Sequence, residues 1–293
     1  MLVANSSRAF GGSSLRTTIY LERRLRAHVI IRDRLLFDSR FSSPARRSSN
    51  FVHLYASLAG TFQLAGAGAR TEPQLWALAE TEFDRVQPGV RTFRSFGAPS
   101  RVVEIRFPAK DLRRPVGLAH GSIALPPAAW DDYHAFAAGT GSLVALIDRL
   151  ASAGVVGTDL PETIVTAEPE HFARLWTTLR PLYEQYATST SLKQISTLAG
   201  LSLRQLGRDL TDLTRTFGLF GAGFRDAMRV LRLRAAVLFL SAPDGTPTGV
   251  AREVGYGSLD AMARAFRDAK LPAPSVVQDG VRFGAESIGT DRA

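Results

Sequence analysis

The stretch SLKQISTLAGLSLRQLGRDL, residues 191–210, decides the fold of the last third of the chain. Apolar residues in its first half recur every three or four positions, which predicts a short amphipathic helix; they are Leu192, Ile195, Leu198 and Ala199. Gly200 follows where the end of a helix needs a residue that tolerates positive φ. Ser202 is then placed to accept hydrogen bonds from the free N–H groups of a second helix.

The second helix of this stretch combines a buried apolar face with an outward polar face. We expect its buried residues to be Leu203, Leu206, Leu210 and Leu213. The residues that it turns outward are Arg204, Gln205 and Arg208. A helix, a glycine turn and a capped helix with a polar face form a helix-turn-helix unit, which lets its second helix enter the major groove of DNA.

A second unit of the same kind is predicted in TGVAREVGYGSLDAMARAFRDA, residues 248–269. Gly255 is its turn, Ser258 caps its second helix, and Arg264 points away from the buried face. That face is formed by Met262 and Phe266, with Ala265 beside it. Residues 224–240, FRDAMRVLRLRAAVLFL, contain no Gly or Pro and therefore predict one long helix that connects the two units.

These motifs resemble the AraC/XylS family of bacterial transcription regulators over the last third of the chain. The family's Arg-x-x-Arg-Leu-x-x-Ala connector is matched by Arg229, Arg232, Leu233 and Ala236. Its Ile-Ala-x-x-x-Gly-Phe element is matched by Val250, Ala251, Gly255 and Tyr256. Its Phe-x-x-Arg-x-Phe close is partly matched by Met262, Arg264 and Phe266, and its terminal Pro by Pro274. Several matches in order at the family's spacing make the resemblance specific.

The resemblance implies a sequence-specific DNA-binding transcription regulator that places two recognition helices in successive major grooves. The family's groove-facing positions carry over to Arg204, Gly207, Arg208, Asp260, Ala261 and Arg264. Because Gly207 has no side chain, we expect the two arginines of the first unit to read bases and the second unit to hold phosphate. The residues assigned to DNA binding are Ser202, Arg204, Gln205, Arg208, Ser258, Asp260 and Arg264.

Three departures from the family pattern are present, and two of them, the long loop and the weak second recognition face, support an alternative hypothesis. The loop predicted at Thr214–Gly223 is longer than the family's loop, and Leu271 stands where the family has Gly before its terminal Pro. The outward face of the second recognition helix is also poor in donors. The alternative is a protein-interaction module, derived from a regulator, that has weak or lost specific DNA binding.

The N-terminal part is expected to begin with a flexible arm, residues 1–26, rich in Ser, Arg and Gly. Short runs rich in Val, Ile, Phe and Leu then alternate with turn residues, which predicts a small antiparallel β-barrel. The resemblance implies a cupin-like sensor domain here. TEFDRVQPGVRTF is similar to the family's Gly-Asp-x-x-x-x-x-Pro-Gly stretch, with Glu82, Asp84, Pro88 and Gly89 as its nearest residues.

Helical patterns follow the barrel between residues 108 and 190. In family members such helices pack on the barrel and pair across a dimer axis, but packing within one chain explains the same apolar stripes. The fold class is therefore α+β, with a cupin-like antiparallel barrel and helices followed by an all-α domain. The expected domains are a sensor and dimerisation domain at 27–187, an AraC-type DNA-binding domain at 188–278 and a C-terminal tail at 279–293.

Composition limits the partners and the cellular location. The formal net charge is +9, which favours a polyanionic partner such as double-stranded DNA. An arginine-rich proteome from a GC-rich genome would explain the same excess. The chain has no Cys, so a disulfide framework and thiolate zinc sites are excluded. No apolar run reaches the roughly eighteen residues of a membrane span, and no signal peptide is evident, so we expect a cytoplasmic protein without a membrane partner.

No catalytic constellation is present. The glycine-rich stretches at 66–68 and 139–142 lack the spacing and the Lys of a phosphate loop, and there is no Gly-x-Ser-x-Gly elbow. His28 and His53 lie far apart in sequence, and no His-x-His pair with a following Glu accompanies them. We therefore expect no enzyme, no metal site and no cofactor, with a cupin-type enzyme as the remaining alternative. The resemblance implies RNA polymerase and a small-molecule effector as further partners, and assigns no ligand-binding residue.

Overall fold

A computed structural model describes residues 1–42, 50–80, 92–164, 169–217 and 223–289, with side chains of the last helix described as far as Arg282. The chain forms an antiparallel β-sheet followed by helices. The residues that resemble the family's Pro-Gly stretch, Glu82, Asp84, Pro88 and Gly89, lie outside the described ranges. In the described part, no helix combines the length and apolar character needed to cross a membrane.

The sheet contains eight described strands, and all of their pairings are antiparallel. They are β1 (Leu2–Phe10), β2 (Ser13–Leu21), β3 (Arg26–Asp33), β4 (Phe37–Asp38), β5 (Phe51–Leu64), β6 (Ala69–Arg70), β7 (Gln74–Ala79) and β8 (Phe93–Pro108). The order is β1-β2-β3-β8-β5-β6, while β4 also pairs with β8 and β7 with β5. The long strands β5 and β8 therefore form the centre of the sheet.

Strand β5 bends so strongly that its two halves face each other. Tyr55 and Phe62 would lie roughly 23 Å apart on a straight strand, yet their ring centroids are 6.2 Å apart. The pairing register of β5 and β8 shifts on both sides of Ala59, where Gly60 has a φ of +91°. A Cβ at Gly60 would lie 2.5 Å from the carbonyl oxygen of Phe96, so only glycine fits this bend. The bend folds the sheet over an aromatic interior, and the expected barrel-like α+β fold is confirmed.

The prediction of a flexible arm at residues 1–26 is wrong. Strands β1 and β2 form a hairpin in full register from Leu2–Leu21 to Phe10–Ser13. Its turn is Gly11-Gly12, with φ of +57° and +71° at the two positions, which is the backbone of a tight hairpin turn. The Ser- and Arg-rich composition suggested disorder, but Leu15, Ile19 and Leu21 alternate with polar residues and are buried. Packing against the C-terminal helices orders the hairpin.

Two helices cover the outer face of the sheet. They are α1 (Pro127–Ala138) and α2 (Leu143–Ser152). Their apolar side chains share one core with alternate residues of β3, β5, β7 and β8. Gly139 and the Ser142 cap separate the two helices, because Gly139 ends α1 in the left-handed conformation and Ser142 accepts from Ala145 N–H. The outer face is therefore closed, and the inner face carries the polar and aromatic groups.

The C-terminal half contains seven further helices within the described ranges. They are α3 (Glu170–Glu184), α4 (Leu192–Ala199), α5 (Leu203–Thr216), α6 (Phe224–Phe239), α7 (Pro247–Glu253), α8 (Leu259–Asp268) and α9 (Pro274–Gly289). The expected arrangement of two helix-turn-helix units, α4–α5 and α7–α8, joined by the long helix α6 is confirmed. These helices share one apolar core with the β1–β2 hairpin and with Leu35, Leu36 and Phe41.

Two expected boundaries differ from the structure. The prediction of a C-terminal tail at 279–293 is wrong for its first part, because α9 continues without interruption from Pro274 to Gly289. Val277 and Val281 are buried in the common core, so tertiary packing extends this helix beyond the expected end of the domain. The loop expected at Thr214–Gly223 begins later, because α5 continues to Thr216; residues 218–222 lie outside the described ranges.

Candidate nucleic-acid interface

The first helix-turn-helix unit has the caps and the turn that its sequence predicts. Ser191 and Gln194 form a reciprocal capping box at the start of α4. Gly200 ends α4 in the left-handed conformation, with φ of +65°. Ser202 accepts a hydrogen bond from the N–H of Gln205 at 3.1 Å, and so caps α5. Local sequence therefore fixes where the recognition helix begins.

Helix α5 presents a row of exposed basic side chains opposite its buried leucines. Leu206, Leu210 and Leu213 are buried, while Arg204 and Arg208 are exposed. The same row continues through Thr211 to Arg215, both exposed, at the spacing of a helix face. Arg215 was not assigned to this face from the sequence, although its position seven residues after Arg208 would have placed it there.

Gln205 links two charged neighbours on the surface of α5. The guanidinium of Arg208 donates to the Gln205 side-chain oxygen, and the Gln205 amide donates to Asp209. Gln205 is half-buried, unlike the two arginines. This chain of hydrogen bonds orients Arg208 on the exposed face, where a guanidinium can contact the paired acceptors of guanine or a phosphate.

Two leucines of the first unit are not buried as expected. Leu203 is 57% exposed and Leu198 is 72% exposed. Leu203 is the first residue of α5, where no preceding turn covers it, and Leu198 is the last residue but one of α4. The buried apolar residues of this unit are therefore Ile195, Leu206, Leu210 and Leu213.

The second unit is capped in the same way, but the exposed face of α8 carries fewer hydrogen-bond donors. Ser258 accepts a hydrogen bond from the N–H of Ala261 at 3.2 Å and caps α8. Met262 and Phe266 are fully buried, as expected, and Arg264 is exposed. Asp260 is exposed in the first turn of α8, where its charge favours the helix N-terminus but repels phosphate. Arg267, which the sequence reading missed, is exposed one turn after Arg264.

The two connector arginines have different partners. Arg229 pairs with Asp226 on the exposed surface, with 2.6 Å between Nη2 and Oδ1. Arg232 instead donates to the main-chain carbonyls of Tyr186, at 2.8 Å, and Thr188, at 3.1 Å. Arg232 therefore holds the connector helix to the segment that joins α3 to α4.

Gly255 brings the second unit against the same segment. Its φ is +87°, and a Cβ at this position would lie 2.2 Å from the carbonyl oxygen of Ala187. Both the backbone conformation and the close approach require glycine. The glycine of the second turn thus serves the turn itself and the contact between the unit and the linker at 185–188.

The β1–β2 hairpin contacts the C-terminal helices at several points. The rings of Phe10 and Phe239 meet edge to face with 5.8 Å between their centroids. Arg8 Nη1 lies 3.5 Å from Glu253 Oε1 in α7. The indole N–H of Trp176 donates to the carbonyl of Val3 at 3.1 Å. The hairpin is therefore packed against α3, α6 and α7.

A buried polar cluster lies on the inner face of the sheet and extends to α6. His53 Nδ1 is 2.6 Å from Glu104 Oε1, and Arg106 donates to Glu80 at 2.8 Å. Burial lowers the pKa of Arg234 in α6, and the carboxylates of Glu104 and Glu80 oppose that effect. Arg234 of the connector helix therefore lies near the carboxylates of Glu104 in β8 and of Glu80, the residue after β7, which no sequence pattern indicated.

Burial and neighbouring charges shift the pKa values of other members of this cluster. Burial lowers the pKa of His28 well below its ordinary 6.5, with Arg26 as the next cause. Burial, followed by the charge of Arg106, lowers the pKa of Arg26 to about 9. Burial alone would raise the pKa of Glu104, but the hydrogen-bonded His53 turns the shift downward. The cluster therefore favours neutral His28 beside an ionised Glu104.

The interior of the folded sheet is filled by stacked aromatic rings. Phe62 stacks on Trp76 at 5.2 Å and on Phe93 at 5.3 Å, and Tyr55 meets Phe93 at 5.1 Å. Within the described ranges, no group of three or more His, Asp or Glu side chains is placed to hold a metal ion.

Comparisons with known proteins place transcription regulators among similar solved structures. No protein-family model and no curated protein matches the chain. The fold is similar to a DNA-binding transcriptional dual regulator from Escherichia coli K-12, at 17% identity and a TM-score of 0.30, over 40% of this chain and 96% of that one. It is also similar to ToxT from Vibrio cholerae, at 8% identity and a TM-score of 0.34, over 87% and 98% of the two chains.

A third similar structure is ToxT from Vibrio cholerae strain SCE256 bound to an unsaturated fatty acid. It has 8% identity and a TM-score of 0.33, over 89% of this chain and 96% of that one.

Proposed function

We propose that this protein is a sequence-specific, DNA-binding transcription regulator of the AraC/XylS type. The observation that carries the proposal is the pair of capped helices α5 and α8, each with buried apolar residues on one side and exposed arginines on the other. Exposed arginines at the start of a helix that follows a glycine turn suit contact with base edges and phosphates in a major groove.

The two units have different tasks in this proposal. Arg204 and Arg208 read guanine edges in one groove, with Gln205 orienting Arg208. Arg264 holds phosphate in the next groove, because Asp260 offers no donor and leaves a single guanidinium at the centre of the face. Ser202 and Ser258 position the helices through their caps and direct the helix N-termini toward phosphate.

The N-terminal half controls the DNA-binding half in this proposal. The hairpin contacts α7, Arg232 holds α6 to the linker at 185–188, and Arg234 of α6 interacts with carboxylates of the sheet region, so a change in the sheet alters how the units present their arginines. A small-molecule effector or homodimerisation through the helical region supplies that change. RNA polymerase is the downstream partner, and the cytoplasm is the expected location.

Binding to DNA can be tested without knowledge of the operator. Genome-wide footprinting would locate bound sites, and fluorescence anisotropy with the strongest site would give the affinity at increasing salt. We expect log affinity to fall linearly with log salt, with a slope of about −0.9 for each phosphate contacted. A flat salt response, or equal affinity for the strongest site and a shuffled sequence, contradicts the proposal.

A second candidate function, the protein-interaction module, is supported by Leu198 and Leu203. Both are large, exposed and adjacent to the turn of the first unit, and exposed apolar side chains close together mark interaction surfaces. On this hypothesis, Leu198→Ser with Leu203→Ser abolishes a protein contact and leaves DNA affinity unchanged. Retention of the contact in pull-down experiments with purified RNA polymerase argues against it.

A further inference from the structure

The turn between α6 and α7, residues 241–245, decides where the second helix-turn-helix unit begins. Thr246 follows directly and caps α7, because its side chain accepts a hydrogen bond from the N–H of Gly249 at 3.1 Å. The chain turns back closely over the end of α6, since a Cβ at Gly245 would lie 2.8 Å from the carbonyl oxygen of Phe239. The direction of α7, and with it the placement of the recognition helix α8, therefore depends on the geometry of this turn.

Two side chains of α9 bind main-chain carbonyls of this turn. Arg282 Nη2 lies 2.9, 3.2 and 2.7 Å from the carbonyl oxygens of Ala242, Pro243 and Gly245. The side-chain amide of Gln278, which is buried, donates to the Gly245 carbonyl at 2.9 Å. Carbonyls at the end of a helix need partners from outside it, and a guanidinium forms stronger hydrogen bonds with them than a neutral donor does. Arg282 therefore holds the turn to α9.

The sheet half binds the same turn through neutral groups. The N–H of Leu36 donates to Ser241 Oγ at 2.9 Å, and the N–H of Asp244 donates to the carbonyl of Gly11 at 3.4 Å. Each of these bonds holds one residue of the turn, whereas Arg282 joins three of its carbonyls to one guanidinium. Loss of Arg282 therefore releases the middle and the end of the turn, while its first residue stays bound.

The helix that carries Arg282 is itself fixed. Val277 and Val281 of α9 are buried in the common core, so the guanidinium is presented from a packed helix. Arg282 lies outside the stretch that resembles the AraC/XylS pattern, which ends at Pro274, and within the predicted tail at 279–293. Helix α9 thus supports the turn from a part of the chain to which the sequence assigned no role.

We propose that Arg282 is a positioning residue that sets the spacing at which the protein recognises two subsites in DNA. This inference rests on the proposed function, in which α5 and α8 enter successive major grooves about 34 Å apart. One base pair moves a subsite by about 3.4 Å and turns it by about 35° around the duplex axis. With the turn held by Arg282, α8 keeps one placement and rejects an operator that is one base pair longer or shorter. Without Arg282, α7 and α8 reach a range of placements and tolerate the altered spacing.

Hydrogen exchange of the full chain tests the positioning without DNA. Arg282→Met removes the donors but keeps a side chain of similar length, and Arg282→Lys keeps the charge. The control is Arg149→Met, which removes an exposed arginine of α2. We expect Arg282→Met to speed amide exchange in α7 and α8 several-fold, with α5 unchanged and Arg282→Lys intermediate. Equal exchange in α7 and α8 for Arg282→Met and the wild type overturns the proposal, as does an increase that extends equally to α5.

The spacing is tested with the operator found by footprinting and with versions that gain or lose one base pair between its two subsites. The measured quantity is the ratio of the affinity for the native spacing to that for each altered spacing. We expect Arg282→Met to lower this ratio several-fold and the Arg149→Met control to keep it. Affinity for a half operator that holds only the subsite of the first unit should not change. A merely structural role, or a general loss of positive charge, weakens binding to all operators alike and leaves the ratio constant, which overturns the proposal.

The two experiments separate this inference from the proposed function. If the wild type binds no DNA specifically, the proposed function fails, and the role of Arg282 in DNA spacing fails with it, while exchange still decides whether Arg282 fixes α7 and α8. If DNA binds and exchange changes but the affinity ratio stays constant, the spacing role alone is wrong. Should Arg282→Met fail to fold, Arg282→Lys carries the test. A single ammonium in place of the guanidinium fork predicts an intermediate ratio, and a wild-type ratio overturns the proposal.

Discussion

The guanidinium of Arg232 donates to the main-chain carbonyl of Tyr186 at 2.8 Å. This bond joins the middle of the connector helix α6 to the segment that links the sheet half to the first helix-turn-helix unit. Gly255 approaches the next residue of that segment, Ala187, from the second unit. The linker is thus held both by the connector helix and by the second unit.

Arg232→Ala should destabilise the protein more than Arg229→Ala. Removing Arg232 leaves two carbonyl acceptors without their charged donor, which costs about 1–3 kcal/mol. Arg229 forms only an exposed pair with Asp226 on the same helix, which is worth about 0.2–0.5 kcal/mol. Denaturant unfolding of both variants gives the comparison, and equal losses would show that the bonds to Tyr186 and Thr188 contribute nothing.

Gly255→Ala and Gly207→Ala should have opposite effects on stability. At Gly255 the positive φ and the approach to Ala187 make an alanine cost about 2 kcal/mol or more. Gly207 lies in the exposed interior of α5, and a Cβ there meets nothing within 4 Å. Alanine at 207 should therefore raise stability by about 0.5–1 kcal/mol. Thermal unfolding measures both; destabilisation by Gly207→Ala would mean that α5 is strained at this point.

The helix-turn-helix half could be predicted because its signals are local. Ser202, Ser258, Gly200 and Gly255 each determine a cap or a turn within a few residues, and the structure places all four as their sequence context requires. The outward direction of Arg204, Arg208 and Arg264 followed from helical periodicity alone. These features need no knowledge of distant parts of the chain.

The features that were missed depend on tertiary contacts. The hairpin at Leu2–Leu21 is ordered by helices that lie far away in sequence, and α9 continues because Val277 and Val281 reach the common core. Leu203 fits the apolar periodicity but lies at a helix start that nothing covers. The links from Arg234 to Glu104 and from Arg40 to Gly280 join residues more than a hundred positions apart, so no local pattern could indicate them.

The buried His28 should make stability depend on pH below neutrality. Burial and Arg26 lower the pKa of His28 below its ordinary 6.5, and Arg234 and His53 add to this effect while Glu104 opposes it. The unfolded chain binds a proton as pH falls through 6.5, but the folded chain does not, so stability falls on acidification. The loss is at most about 1.4 kcal/mol per pH unit for one group.

His28→Gln should remove this part of the pH dependence, and His120→Gln, at an exposed histidine, serves as the matched control. Denaturant unfolding between pH 7.5 and about 5 measures the difference. We expect the profile of the His28 variant to be flatter than that of the control. If the pH profiles of the two variants coincide, His28 binds its proton equally well in the folded and in the unfolded chain.

We propose that Arg208 reads a base, and affinities for a panel of operators test this most directly. Each operator changes one base pair of the site found by footprinting, and anisotropy gives its affinity for the wild type, Arg208→Ala and Arg149→Ala, which removes an exposed arginine of α2. We predict that the wild type and Arg149→Ala lose about 1–3 kcal/mol at one G·C pair and that Arg208→Ala no longer distinguishes that pair. Undiminished discrimination at every position by Arg208→Ala would contradict the account.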